Sequence, residues 1–340
     1  MNRTQFQNIL ESIIIPEGCD PVEMQTRLKP LNIALLQMCP SSLFRYRTCS
    51  TENIDAFQKD QVWLSTADKF NDPFDTLLQY DLASIQQVVD EPQPAKVLEA
   101  MTRYIAQGSS IPEKIAKMFP EGYIQECRYR AQQALEHNEF QNILPERLKM
   151  LQIQLFFINA ILPQWLQQDS ITASFSEDVN SILMWSHYAE NHKGFAVEYD
   201  PHPYLFPNPE TLCLFPIIYS DKRYDATQYS YYLISQFLQA PSINIDQLRQ
   251  FRLMLYKSTD WAYEREWRLI GGNANPPQGY TSRSEPHHIP AKAIYYGCRI
   301  SKGNQERLHA IAIEKHIPEY KMEINYASSS YRIAPTRILL

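Results

Sequence analysis

The chain has 340 residues, 44% of them apolar, and a formal net charge of −6 spread along its length. That length suits one elaborated domain or two, and the apolar content excludes a disordered chain. No acidic or basic tail occurs, so the molecule as a whole is not expected to be drawn to nucleic acid or to an anionic membrane, although a local basic groove remains open.

The six cysteines, Cys19, Cys39, Cys49, Cys127, Cys213 and Cys298, form no C-x-x-C pair. Isolated thiols in a reducing compartment are expected, not structural zinc or a disulfide framework. Only nine glycines are present, and neither G-x-G-x-x-G nor G-x-x-x-x-G-K-[ST] occurs. Rossmann and P-loop sites need such glycines to bring backbone amides close to phosphate, so both are disfavoured. The N-terminus lacks a secretory pattern, and the apolar runs at Ile33–Met38 and Leu155–Leu162 are too short to span a bilayer. A cytoplasmic protein with no membrane partner is expected.

Residues 1–40 read as a helical lead-in punctuated by Pro16, Pro21 and Pro30. Leu43–Arg47 alternates as a strand, with Arg45 and Arg47 on one face and Phe44 and Tyr46 on the other. A helix over Thr51–Lys59, a strand over Gln61–Ser65 and a turn over Lys69–Asp75 follow. Residues 82–168 are rich in Gln, Glu, Leu and Ala with helical spacing, and read as a helical insertion between strands. The core resumes at 169 with a strand at Ile171–Phe175. A helix over Ser181–Asn191 is closed by Gly194 in the left-handed conformation, and a strand covers Phe195–Tyr199. Leu212–Tyr219 reads as a strand, 225–257 as helical, and Trp261–Ile270 as one long alternating strand. A strand at Ala293–Gly297, a helix at Gly303–His316 and closing strands over Tyr320–Ile333 complete an α+β fold. It is a mixed central β-sheet flanked by helices, formed by residues 41–81 and 169–340 and carrying the helical insertion.

Four segments concentrate chemistry. On a strand, W-A-Y-E-R-E-W-R-L-I (261–270) sends Glu264, Glu266 and Arg268 to one face. Paired carboxylates can stabilise a cationic sugar-like centre or exchange protons. The plain alternative is a solvated face of salt bridges. Arg45 and Arg47, with Tyr46 between them, can clamp a diphosphate or carboxylate, or instead pair internally with Glu264 or Glu266. His187 can serve as a base or ligand, or as a histidine at the core edge; Trp185 and Tyr188 flank it. His187 and His192 are five residues apart, the wrong spacing for metal ligation on one helical face, and no metal site is expected. Asn71 and Asp72, ahead of Pro73, build a structural turn or reach a ligand.

The motifs L-F-R-Y-R (43–47), V-W-L-S-T-A-D-K-F-N-D-P-F-D (62–75), S-F-S-E (174–177), M-W-S-H-Y-A-E-N-H-K-G-F-A-V-E-Y-D (184–200), Y-K-S-T-D-W-A-Y-E-R-E-W-R-L-I (256–270) and Y-Y-G-C-R-I-S (295–301) resemble a bacterial family, the domain of unknown function numbered 2971. The resemblance spans residue 43 to about 333 without the insertion. In architecture, the order of basic strand, helix and late E-x-E is similar to ADP-ribosyltransferases. That second resemblance implies NAD as substrate, contacted by Arg45 or Arg47, a pocket shaped by Ser174 and Ser176, and a catalytic glutamate in Glu264-x-Glu266. Tyr46, Trp185, Tyr188 and Arg268 would complete the NAD site, with His187 beside the glutamates. It departs from that pattern in lacking a clean S-T-S triplet, and Ser65-Thr66 competes for the middle role. The reading is therefore an NAD-dependent transferase acting on a protein or nucleic-acid acceptor, in bacterial conflict, as toxin or phage defence. The alternatives are a module that binds nucleic acid or protein through the insertion, and a nuclease using Glu264, Glu266, Asp72 and a divalent cation.

Overall fold

A computed structural model describes residues 1–16, 18–77, 79–81, 103, 106, 122–137, 167, 171–205, 212–230, 232, 246–271, 284–327 and 329–338. The fold is α+β, built on a ten-stranded sheet. The lead-in forms helices α1 (Arg3–Ser12) and α2 (Pro21–Met38). Asn2 caps α1 through a reciprocal bond with Gln5, and Asp20 caps α2 ahead of Pro21 at its first position. Phe6, Leu10, Leu31 and Leu35 are fully buried and share a core with the sheet residues Leu43, Phe195 and Trp267. The lead-in is thus part of the main hydrophobic core.

Strands β1 (Leu43–Arg47), β2 (Gln61–Thr66) and β3 (Ile171–Ser176) follow, with α3 (Thr51–Gln58) between the first two. Ser50 caps α3 by accepting from the Asn53 N–H. Most of the expected insertion lies outside the described residues; within it, Tyr123–His137 is helical. After β3 come helix Ile182–Tyr188 and strand β4 (Phe195–Tyr199). The expected 212–219 strand is divided into β5 (Leu212–Pro216) and β6 (Ile218–Tyr219). The expected helix over 225–257 lies partly outside the described residues. It gives way at its end to β7 (Tyr256–Lys257), paired in parallel with β6. Strand β8 is Glu266–Gly271, and β9 (Ser284–His288) is an edge strand that the sequence reading missed. β10 (Ala293–Tyr296), helix Lys302–Lys315, β11 (Glu319–Ile324) and β12 (Ile333–Arg337) close the fold. The strand order is β12-β11-β10-β4-β1-β3-β2-β9, and β5-β8 joins at β3. Cys19, Cys39, Cys49, Cys213 and Cys298 are free thiols, and no described helix is long and apolar enough to cross a membrane.

The sheet branches at β3. One edge of β3 pairs with β8 along its whole length, Ile171↔Gly271 to Ser176↔Glu266. The other edge pairs with β2 at Ile171 and Thr172, and with β1 only at Ser176. Ala173, Ser174 and Phe175 therefore have no neighbour on that side, and β1 and β2 diverge around them. This gap is where the sheet opens.

Two local departures from expectation shape the gap. The helix at 182 ends at Tyr188, and Glu190, Asn191 and His192 all take positive φ, at 50°, 54° and 69°. Gly194 is not the left-handed residue. Glycine is needed there because a Cβ would lie 2.1 Å from the Arg47 carbonyl oxygen. Gly297 is required for the same reason, its Cβ position lying 2.2 Å from the His192 carbonyl oxygen. These two contacts tie the 190–194 loop to the ends of β1 and β10. Gly194→Ala should push the loop from β1 and destabilise the fold by about 3 kcal/mol, as overpacking against immovable backbone does. Urea unfolding at neutral pH measures this, and a midpoint equal to that of wild type would contradict it.

Candidate active site

The gap in the sheet is the mouth of a cavity of about 490 Å³. All four chemistry-rich segments reach it: Arg45 and Arg47, Asn71, Ser174 with His187, and Glu264 with Glu266. By register, Phe44 and Tyr46 share the sheet face of Ser174, Ser176 and Glu266. Arg45 and Arg47 leave from the other face. One cavity serves both sets because β3 lacks a neighbour at Ala173–Phe175.

The expected strand over Trp261–Ile270 is only half a strand. Thr259–Glu264 is a 3₁₀ helix, Arg265 is left-handed at φ 48°, ψ 46°, and the strand begins at Glu266. A two-residue strand alternation therefore does not place the glutamates. They converge because Lys257, on β7, reaches both: its Nζ lies 2.6 Å from Glu264 Oε2 and 3.1 Å from Glu266 Oε2. The same ammonium sits 4.9 Å from the centre of the Trp261 ring.

From Glu266 the network continues inward. Arg268 donates to Glu266 at 3.0 Å, to Asp75 through both terminal nitrogens at 2.7 and 2.8 Å, and to the Met254 carbonyl at 2.7 Å. Asp75, Glu266 and Arg268 are each at most 2% exposed. Three carboxylates face two cations, leaving one net negative charge on this wall. Outward, the Tyr188 hydroxyl donates to Glu264 Oε1 at 2.5 Å and accepts from Asn71 at 3.2 Å.

The two glutamates differ in protonation. Burial raises both, but Arg268, Lys257 and the Ser174 hydroxyl outweigh it at Glu266 and hold that carboxyl at about 2. At Glu264 burial prevails over Lys257, and the like charge of Glu266 adds to it, so this carboxyl titrates above its ordinary value. Lys257 is held charged: the two glutamates overcome the burial that would discharge it.

The β1 side is the electrostatic opposite. Among the described residues neither Arg45 nor Arg47 has an ion pair. Arg45 donates one bond, to the Trp63 carbonyl at 2.8 Å, and its other terminal nitrogen, Nη1, is buried without a partner. Burial, and for Arg45 the charge of Arg47, lowers the pKa of each. Pairing of these arginines with Glu264 or Glu266 does not occur. A second orphan, Thr172 Oγ1, is buried in the same cavity wall. Leaving such a buried polar group unmatched costs about 1–3 kcal/mol, so both atoms can accept a partner from within the cavity.

The remaining expected residues divide. His187 is exposed at the mouth, its ring 6.1 Å from that of Tyr263. Ser174 is exposed to the cavity, whereas Ser176 is buried and donates to the Glu264 carbonyl at 2.7 Å, fixing the turn. Tyr46 lines the cavity, but its hydroxyl is spent on the Asp178 carbonyl. Two assignments are corrected. Trp185 is fully buried, with its indole N–H on the Val179 carbonyl, and does not line the cavity. Arg268 is likewise buried, its donors saturated, and can position Glu266 but not touch a ligand. Asp72 caps the turn by accepting from the Phe74 N–H at 2.9 Å, and faces a different cavity. Sequence reasoning missed Lys257 and Asp75, although both stand inside motifs it quoted. A lysine on a two-residue strand and an aspartate at the end of a turn carry no periodic signal.

Residues 184–269 match the model of a family described as Protein of unknown function (DUF2971), so the resemblance read from the motifs holds over that stretch. No curated protein and no solved structure matches the chain. The matched stretch holds Tyr188, Lys257, Glu264, Glu266 and Arg268; Arg45, Arg47 and Asp75 lie outside it.

Two outcomes follow from the buried network. Arg268→Met leaves three carboxylates facing one lysine and should cost about 3–5 kcal/mol in denaturant unfolding at pH 7, as loss of one partner of a buried pair does. Glu266 has a depressed folded pKa, so its contribution is complete above the ordinary carboxyl value of 4.5 and is lost as pH falls towards about 2. The stability difference between wild type and Glu266→Gln should therefore shrink across that acid window and be flat from pH 6 to 8. A difference that grows on acidification would reverse the assignment.

Proposed function

We propose that this cavity binds NAD and transfers its ADP-ribosyl group to a macromolecular acceptor, protein or nucleic acid. The observation that carries the reading is the pairing, in one cavity, of two arginines that have no counter-ion among the described residues with two carboxylates of opposed protonation behaviour. A diphosphate supplies the charge Arg45 and Arg47 lack, and Arg45 Nη1 and Thr172 Oγ1 gain the partners they want.

Transfer breaks the bond between the ribose C1′ and the nicotinamide nitrogen, whose electron pair leaves with nicotinamide. The ribose becomes cationic in the transition state. Glu266, ionised at any physiological pH, supplies the fixed negative charge for it, with the Ser174 hydroxyl orienting its carboxylate. Glu264, with its raised pKa and its place nearer the mouth, orients the acceptor and takes the proton its nucleophile loses as the new C1′ bond forms. Tyr188 and His187 offer ring faces beside that carboxylate. The nuclease alternative is less well supported: Lys257 stands between the two glutamates where a divalent cation would sit, and Asp72 faces another cavity. A cytoplasmic enzyme acting in bacterial conflict or defence is the setting that belongs with this proposal.

The test is incubation of the purified chain with labelled NAD and cell extract, following nicotinamide release and label transfer. Glu266→Gln should lower kcat roughly 10²–10³-fold with little change in NAD affinity, because the interaction matters only in the transition state. Arg45→Ala or Arg47→Ala should instead weaken NAD binding, since a phosphate clamp acts before and during the reaction. A wild-type protein with neither activity nor calorimetric NAD binding would remove the transferase reading in favour of a binding module.

A further inference from the structure

Glu266 opens β8, and its backbone lies where two ladders fail. The residue before it, Arg265, is left-handed and ends a 3₁₀ helix. On the β5 side the ladder ends at Pro216, paired with Trp267, and proline has no N–H to extend it. The two backbone groups of Glu266 are therefore held by other means. Its N–H donates to the Tyr219 hydroxyl at 2.7 Å, and its carbonyl accepts from the Ile217 N–H at 3.0 Å. That carbonyl also accepts from Arg3 Nη1 at 2.9 Å.

Arg3 lies 263 positions away in the chain, at the start of α1. Both terminal nitrogens of its guanidinium are engaged. Nη1 also donates to the Ile217 carbonyl at 2.6 Å, Nη2 donates to Glu177 Oε1 at 2.7 Å, and the group sits 5.3 Å from the centre of the Tyr219 ring. Glu177 in turn accepts from the Trp267 indole at 2.7 Å and pairs with Arg265 at 3.1 Å. One guanidinium thus joins the residue before β6, the residue after β3 and, through Glu177, both residues flanking Glu266.

We infer that Arg3 is a positioning residue for Glu266: the N-terminal helix braces the backbone from which that carboxylate is aimed at Lys257 and the cavity. Its kinetic consequence rests on the transferase reading; its structural consequence does not. A side chain in α1 then belongs to the site although it touches no part of the cavity. The geometry explains why a planar fork is required. A single ammonium cannot reach the Glu266 carbonyl, the Ile217 carbonyl and the Glu177 carboxylate together.

The test compares wild type, Arg3→Met, Arg3→Lys and the control Arg27→Met, which removes an exposed pair with Glu23 on α2. Two readouts are taken on folded protein. In the first, NAD turnover, Arg3→Met should lower kcat roughly tenfold or more with KM unchanged, as small misplacement of a reacting group does, and Arg3→Lys should recover part of it. In the second, ¹³C-carboxyl NMR of glutamate-labelled protein follows the titration of Glu264, assigned by Glu264→Gln. If Arg3→Met lets Glu266 drift from Lys257, the Glu264 titration should shift, with Arg27→Met superimposing on wild type. An inactive wild type would refute the NAD reading and leave the NMR result to decide on Arg3. A Glu264 titration unchanged in folded Arg3→Met would overturn the inference, as would a KM effect without a kcat effect. Should Arg3→Met fail to fold, Tyr219→Phe, which releases the Glu266 N–H from the same brace, must show the same shift for the inference to stand.

Discussion

The structure depends on one buried interaction, the bidentate contact of Arg268 with Asp75 extended through Glu266 to Lys257. Ions removed from water cost several kcal/mol each unless every donor and acceptor is matched. Here they are matched across three separate parts of the chain: the turn after β2, the short β7 and the start of β8. None of the three could bury its charge alone. The network therefore fixes how the turn, β7 and β8 meet, and through β8 it fixes β3 and the gap in the sheet. It is poor as a source of raw stability and strong as a specification of geometry, since any shift that breaks one contact strands a charge.

The same network creates the inequality between the two glutamates. Two carboxylates near one lysine would ordinarily share a proton and titrate as a pair. Arg268 breaks the symmetry by lying against Glu266 alone, while Tyr188 lies against Glu264 alone. One carboxylate becomes a fixed charge and the other a group that exchanges protons. Among the described residues the cations on β1 lack any such partner, so the cavity carries separated charge across β3. That separation is stable only because β3 stands between the arginines and the glutamates and keeps them from neutralising one another.

Much of this was legible in the sequence where periodicity carries information. Leu43–Arg47 and Phe195–Tyr199 are strands with the expected bounds. Illegible parts have a common cause. The 3₁₀ turn at Thr259–Glu264 imitates strand alternation, since Trp261, Tyr263 and Glu264 read the same way in either conformation until Arg265 reverses the chain. Gly194 resembled a helix cap, yet its role is set by the Arg47 carbonyl across the loop. Trp185 and Arg268 looked like ligand groups because their side chains are polar-tipped, and only the packing shows that their partners are internal. Asp75 was invisible for the converse reason, because it matters through a contact with Arg268, 193 positions away; Lys257 reaches Glu264 and Glu266 across the 3₁₀ turn, which no periodicity announces.

The site is consequently divided between layers with different demands. The groups facing the cavity, Arg45, Thr172 and Glu264, are left with unmet bonding capacity or perturbed protonation. The groups behind them, Asp75, Arg268, Arg3 and Glu177, have theirs largely met. A cavity can hold unsatisfied polar atoms only if the backbone carrying them cannot relax to satisfy them internally. The saturated layer supplies that rigidity: Arg268 holds the side chain of Glu266 and Arg3 its main chain, so neither Glu266 nor its neighbours on β3 can turn towards the arginines of β1. Unmet bonds on one layer and met bonds on the other are thus a single arrangement, and it directs the unspent polar capacity of the fold into one opening.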